Sequence, residues 1–258
     1  MRRYINASLT GDPDQWPMEW FRGAYAETSF ERGISFGSGN GALERDVRRK
    51  EICKSILGTD ISATALRAAQ ESAANSEING ISYGVMDFND LHLSNESVDI
   101  AFFHQALHHC ERLEGCLDQV HRALEPGGIL YLDEYVGPSR SDWRQPLLAR
   151  ADAVFRSLPG WVRRRRHLQL PVDWRDPSEA IRSSEILREV RQGFEVLEER
   201  GYGGNFLSVI FPHLDLTAGS PADAAEVVGF LIEEEKQVIA RGEPPFNVVV
   251  IARKHASR

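Results

Sequence analysis

Cysteine is scarce and unpaired: the 258-residue chain holds three, Cys53, Cys110 and Cys116, an odd number without CxxC spacing. That argues against a disulfide framework or a cysteine zinc site, and a reducing compartment, the cytoplasm, is expected. Long apolar runs are also missing. No stretch approaches the roughly 18 residues that span a bilayer, and the opening MRRYINASLTGDPDQW has basic residues with no apolar segment behind them. Neither membrane insertion nor export is expected. Positive charge is in deficit, with 30 Lys and Arg against 38 Asp and Glu and a net charge of -8. A general attraction to nucleic acid or anionic lipid is thereby removed. The run RRRRH from Arg163 to His167 is a local exception, read as a solvated face or as a holder of a phosphate or nucleotide-sugar. The chain shows no internal repeat and no low-complexity segment, and nothing in it reports an oligomeric state.

Short β-branched runs alternate with helical patterns from Gly33 to Gly137, the signature of a doubly wound parallel sheet. Strands are predicted at 33–37 (GISFG), 55–59 (SILGT), 81–86 (ISYGVM), 98–104 (VDIAFFH) and 128–136 (GILYLDEYV). Among the intervening helices, Leu113, Cys116, Leu117, Val120 and Leu124 repeat at the spacing of one buried face, and EPGG then turns the chain into the next strand. Residues 139–193 are polar, helical and punctuated by Pro and Trp, which suggests an insertion or cap. FEVLEER at 194–200 and FNVVVIARK at 246–254 restore strand character and suggest a hairpin completing the sheet. The expected architecture is one α/β domain with a mostly parallel seven-stranded sheet. It comprises a lead-in (1–32), a cofactor-binding half (33–137), a helical insertion between strands five and six (139–193) and a C-terminal part (194–258).

Three glycines, Gly37, Gly39 and Gly41, sit between the first strand and a helix. Such a turn offers backbone N–H groups and the positive end of a helix at the carboxyl edge of the sheet. GSGNGA satisfies both G-x-G-x-x-G/A and G-x-G-x-G, so a dinucleotide and an S-adenosylmethionine-type nucleoside are both admitted. Asp60, in GTDIS at the end of strand two, can accept from both ribose hydroxyls, while Ser62 is suited to capping the next helix. After strand three, Asp87 and Phe88 of VMDFND supply an acceptor for an adenine amino group and an apolar wall for its ring.

The order of these motifs resembles that of the class I S-adenosylmethionine-dependent methyltransferases: ISFGSGNGALE, GTDIS, VMDFND, VDIAFFHQALHH and RALEPGGILYLDEY. GNGALERDV with DEYVGPSR resembles a bacterial subgroup acting on small molecules or glycan precursors. A Rossmann-like methyltransferase fold and S-adenosyl-L-methionine as cofactor are what the resemblance implies. By that pattern Gly37, Ser38, Gly39 and Gly41 line the methionine end, Asp60 and Ile61 the ribose, and Asp87 and Phe88 the adenine. His104 would stand near the methyl donor. The pattern is broken at the first motif, whose usual acidic residue is absent because Ser35 and Phe36 lead straight into Gly37. No partner is thus assigned to the cofactor's ammonium group.

Methyl transfer from a sulfonium is an in-line displacement, in which positioning supplies on the order of 7–11 kcal/mol. A hydroxyl acceptor also gains from a base, typically about 10²–10⁴-fold. The candidate groups at the carboxyl edge are His104, His108, His109, Glu134 and Tyr135. Glu134 is expected to face the substrate, opposite in direction to Asp133 by strand alternation, or else to pair with Arg140. Adjacent histidines on a helix diverge and no second ligand cluster is visible, so HHCE is not expected to hold a metal. Trp143, Trp161 and Trp174 either stack on a small sugar or aromatic acceptor or pack in a core. An NAD-dependent oxidoreductase and a non-catalytic nucleoside-binding protein are the rival readings.

Overall fold

The computed structural model describes residues 1–169 and 175–255. Its strands are β1 (Phe30–Phe36), β2 (Cys53–Asp60), β3 (Ile81–Val85), β4 (Val98–His104), β5 (Leu124–Tyr135), β6 (Glu195–Gly201) and β7 (Asn247–Arg253). They form one sheet in the order β3-β2-β1-β4-β5-β7-β6. The first five pair in parallel, and β7 runs antiparallel between β5 and β6. After β3 the chain returns to the far side of β1 to place β4, so the switch point lies between β1 and β4. Ligands dock in the crevice at such a point, beyond the carboxyl ends of the strands.

The helices are α1 (Arg2–Thr10), α2 (Pro17–Tyr25), α3 (Ala42–Arg49), α4 (Ala63–Asn75), α5 (Leu113–Ala123), α6 (Gln145–Ser157), α7 (Ile186–Gly193), α8 (Leu207–Ile210) and α9 (Pro221–Ala240). Ser62 caps α4 by accepting from the Ala65 N–H at 3.2 Å. Ser220 and Asp223 form a reciprocal capping box on α9, which carries Pro221 in its first turn.

Strand alternation divides the core. Ala101 and Phe103 of β4, Leu130 and Leu132 of β5, and Val248 and Val250 of β7 face α5 and α7. Ile100, Phe102, Ile129, Tyr131, Val249 and Ile251 face the other way, toward α1, α2 and α3. Each fully buried side chain of this size contributes about 1.5–3 kcal/mol. A third apolar cluster joins α6, α8 and α9 through Phe155, Phe206 and Leu231. The segment between β5 and β6 therefore divides: α6 joins this third cluster, while Ile186 and Val190 of α7 pack on the sheet.

EPGG proves to be a bulge inside β5 and not a turn before it. Val98 pairs with Leu124 and Ile100 with Ile129, and the extra residues between them are taken up at Gly127, whose φ is 79°. The lead-in folds as α1 and α2 against the second core face.

Candidate active site

The glycine turn after β1 is held in place by the strand beside it. Ser38 donates its N–H to the Thr59 carbonyl at 2.9 Å and Gly39 donates to Asp60 Oδ2 at 2.9 Å. Gly37, Gly39 and Gly41 have φ of 72°, 51° and 73°, values that β-carbon-bearing residues adopt at a cost. A Cβ on Gly37 would lie 2.4 Å from the Cβ of Ala106, whereas one on Gly39 would meet nothing within 4 Å. Gly37→Ala is accordingly expected to destabilise the fold by about 2–5 kcal/mol, backbone strain and overpacking together. Gly39→Ala should lose only about 1 kcal/mol. Denaturant titration of both variants checks this; equal losses would contradict the close approach of the loop to Ala106.

Around the turn lies a cavity of about 400 Å³ lined by Gly37, Asp60, Ile61, Asp87, Phe88 and Gln105, among others. Asp60 uses one lone pair on Gly39 and another, on Oδ1, on the Ser62 N–H at 2.8 Å. A carboxylate offers about four such positions, so it can still accept from two ribose hydroxyls. Asp87 begins a short 3-10 turn by accepting from the Asn89 N–H, and Phe88 meets Phe103 edge-on at 6.5 Å. Ile61 stands exposed on the cavity wall. Ser38 turns its hydroxyl back to Ser35, and Gly41 packs beside Tyr83. A nucleoside with a flat base and a diol fits these groups.

Beneath the turn a carboxylate occupies the region where β1 lacks one. Glu44 of α3 is fully buried and its Oε1 accepts from the Ser35 hydroxyl, while Oε2 is without a hydrogen-bond partner among the described residues.

Three of the proposed chemical groups, His104, Glu134 and His108, divide between the two faces of the sheet. His104 follows Phe102 toward the second face and opens into a separate cavity of about 420 Å³ with Trp16, Leu43 and Asp133. Its Nε2 lies 3.5 Å from Asp133 Oδ2. Burial raises the Asp133 pKa, against the opposing effects of His104 and of the 2.5 Å bond donated by the Tyr202 hydroxyl. On the first face, Glu134 has no exposed surface. Its Oε1 accepts from the N–H groups of Ala106 and Leu107, both at 2.6 Å, and its Oε2 pairs with His108 Nδ1 at 2.8 Å. Arg140 donates to the backbone carbonyls of Asp176 and Pro177.

His108 therefore has Nδ1 bonded to Glu134, while Nε2 makes no hydrogen bond among the described residues and faces Glu179 Oε2 at 4.0 Å. Burial lowers its pKa, but the hydrogen bond and charge of Glu134, joined by Glu179 and Asp176, outweigh it and leave the pKa raised. The ring borders a second cavity of about 290 Å³, lined by Gln105, Tyr135, Trp143, Glu179, Ser208 and Asn247, among others. Gln105 lines both this cavity and the one around the glycine turn, so the two meet at the end of β4. Its φ of 54° is a left-handed conformation for a non-glycine residue, which marks strain at the junction.

His109 lies on the same 3-10 turn as His108, their ring centroids 4.3 Å apart, and it lines the first cavity. Burial and the neighbouring imidazole lower its pKa. The two rings thus run side by side where a helix would have splayed them. Trp161 lies in another hollow, with Leu158 and Phe230. Arg164, Arg165 and Arg166 are exposed, and Trp174 lies outside the described residues.

Residues 34–132 match the protein family described as a methyltransferase domain. The chain thus carries an S-adenosylmethionine-dependent methyltransferase domain. No curated protein matches it in sequence. Phosphoethanolamine N-methyltransferase 2 of Haemonchus contortus, solved with S-adenosyl-L-methionine, is 17% identical to this chain with a TM-score of 0.58, over 99% of this chain and 56% of that one. The [4+2]-cyclase SpnF is 16% identical with a TM-score of 0.56, over 100% and 94% of the two chains. An S-adenosylmethionine-dependent methyltransferase from Mesorhizobium loti is 22% identical with a TM-score of 0.51, over 91% and 97%. These likenesses are of fold.

Gln105, Glu179, Asn247 and Glu44 had no part in the sequence reading. The first follows β4 directly and had a positional signal; Glu179 lies in an irregular segment with none.

Proposed function

We propose that the methyltransferase acts on a hydroxyl of a small or medium-sized acceptor, a sugar or glycan precursor being the favoured class. One observation carries this reading: a cavity with diol and adenine acceptors abuts a second, polar and aromatic cavity at Gln105. S-adenosylmethionine, when bound, supplies an electrophilic methyl group on a positively charged sulfur. Gly37, Ser38, Gly39 and Gly41 would border its methionine end, Asp60 and Ile61 its ribose, and Asp87 and Phe88 its adenine. The acceptor would lie against Trp143 and Tyr135, with Asn247, Ser208 and Glu179 as polar partners. An indole face beside several hydrogen-bonding side chains suits a sugar.

His108 is the catalytic residue of this reading, since its ring, with Nε2 carrying no hydrogen bond among the described residues, borders the acceptor cavity. Glu134 is a positioning residue that fixes Nδ1–H. His104, paired with Asp133, serves the other face of the sheet. The net charge of -8 argues against a nucleic-acid acceptor. Three buried free cysteines suit the cytoplasm.

Calorimetric titration with S-adenosylmethionine, S-adenosylhomocysteine and NAD tests the cofactor assignment, and mass-spectrometric screening of sugar acceptors tests the rest. Micromolar binding of the two sulfur nucleosides without NAD is expected; NAD binding alone would overturn the reading. Trp143→Ala is expected to raise the acceptor KM about tenfold, on a stacking contribution of about 0.5–1.5 kcal/mol beyond its buried area. Cofactor affinity should be unchanged, and an unaltered KM would remove Trp143 from the acceptor site.

A further inference from the structure

The wall between the two cavities is built from His108, His109 and Glu179, whose ligand atoms all lie within 4.8 Å of one another. Glu179 Oε2 is 3.6 Å from His109 Nε2 and 4.0 Å from His108 Nε2. Both imidazoles are held from behind: Nδ1 of His108 pairs with Glu134 Oε2 at 2.8 Å, and Nδ1 of His109 with the Ser178 hydroxyl at 3.0 Å. Each ring therefore turns Nε2 to the same carboxylate. A histidine ligand is oriented in this way in metal sites, its second nitrogen fixed by a carboxylate or another polar group.

The backbone supports the placement. Ile181 donates its N–H to the His108 carbonyl at 3.2 Å, tying the segment that carries Glu179 to the histidine turn. Ala180, next to Glu179, has a φ of 51°, a left-handed conformation held beside the cluster. Asp176 Oδ2 lies 3.7 Å from His109 Nδ1 and adds negative charge. The other trio among the described residues, Glu114, Glu185 and Glu189, is paired with Arg182 and Arg188. It has no such vacancy.

We propose that His108, His109 and Glu179 form a binding site for a borderline divalent cation such as Zn²⁺, set between the cofactor and acceptor cavities. Two imidazoles and one carboxylate suit a first-row ion better than Mg²⁺ or Ca²⁺, which favour all-oxygen sites. Ligand bonds of about 2.0–2.2 Å put donor atoms roughly 3.3 Å apart on a tetrahedron, so closing from separations of 3.6 and 4.0 Å, in a cluster within 4.8 Å overall, takes at most about 1.5 Å of side-chain movement. Three protein ligands leave a position for the acceptor hydroxyl. This deepens the proposed function and rests on it. The ion polarises the hydroxyl, whose proton leaves to solvent. The oxygen then forms a bond to the methyl carbon as the carbon–sulfur bond breaks, its electron pair staying on sulfur to give S-adenosylhomocysteine. His108 acts here as a ligand, and the cation takes over the weakening of the O–H bond.

The test is calorimetric titration of the chelator-treated protein with ZnCl₂, alongside His109→Ala, Glu179→Gln and Ser178→Ala. S-adenosylhomocysteine affinity of each variant serves as the check on folding. One equivalent of Zn²⁺ bound by the native chain is expected, weakened at least about 100-fold in the first two variants and roughly tenfold in Ser178→Ala. Absence of zinc binding in a protein that binds S-adenosylhomocysteine overturns the site, as does binding that the first two variants leave unchanged. If S-adenosylhomocysteine fails to bind the native chain, it is the proposed function that falls, whatever zinc does.

Discussion

Asp60→Ala is expected to lower the affinity for S-adenosylhomocysteine by at least about 100-fold. Each hydrogen bond from a neutral hydroxyl to a charged acceptor contributes about 1.5–3 kcal/mol, and the ribose reading gives Asp60 two of them. The substitution also removes the acceptor that holds the Gly39 N–H at 2.9 Å, so the glycine turn loses its brace as well as its ligand contact. Ser62→Ala separates this from helix capping. That variant removes the hydroxyl bonded to Ala65 N–H, which should lower stability by about 1 kcal/mol and leave nucleoside affinity alone. Asp60→Asn retains one acceptor oxygen and should fall between the native chain and Asp60→Ala. Calorimetry on the three variants decides the matter, and an unchanged affinity in Asp60→Ala would sink the ribose assignment.

The parallel sheet was legible because its central strands β1, β4 and β5 carry runs buried on both faces. Runs such as VDIAFFH at Val98–His104 are continuous in apolar residues and bounded by turn signals, and that strand's limits match the structure. The glycine turn was legible for a related reason, since residues that tolerate positive φ mark the place where backbone must bend sharply. Long-range pairing was not. HHCE was read as diverging helical histidines, because nothing local announces a 3-10 turn at Leu107–His109 or a carboxylate arriving from Glu179. The missing acid of the first motif has a similar explanation. Glu44 belongs to a helical pattern in sequence, and only the fold bends that helix back over β1 so that its carboxylate reaches Ser35. Alternation correctly set Asp133 and Glu134 on opposite faces, with partners His104 and His108. It carried no information on depth, and Glu134, read as facing the substrate, has no exposed surface.

That depth makes Glu134 the residue whose two simplest substitutions should behave most differently. Glu134→Ala strips the acceptor from the N–H groups of Ala106 and Leu107 and from His108 Nδ1. A buried donor left unsatisfied costs about 1–3 kcal/mol, so a loss of roughly 3–6 kcal/mol is expected. At about 2–4 °C per kcal/mol for a chain of this size, Tm should fall by some 10–20 °C. Glu134→Gln preserves an amide oxygen for the two backbone donors, and most of that stability should survive. Its NH₂ group, however, faces His108 Nδ1, which can meet it only as an acceptor. The imidazole proton then moves to Nε2, and the nitrogen bordering the acceptor cavity becomes a donor, unable to take a proton or bind a cation. Turnover with an identified acceptor should fall about 10²–10⁴-fold, with S-adenosylhomocysteine affinity unchanged. Thermal unfolding and single-turnover rates on both variants are the measurements. A Gln variant that retains full turnover would mean that the tautomer of His108 is irrelevant to methyl transfer. Equal instability of the two would show instead that the carboxylate's charge, beyond its oxygen atoms, holds the turn after β4.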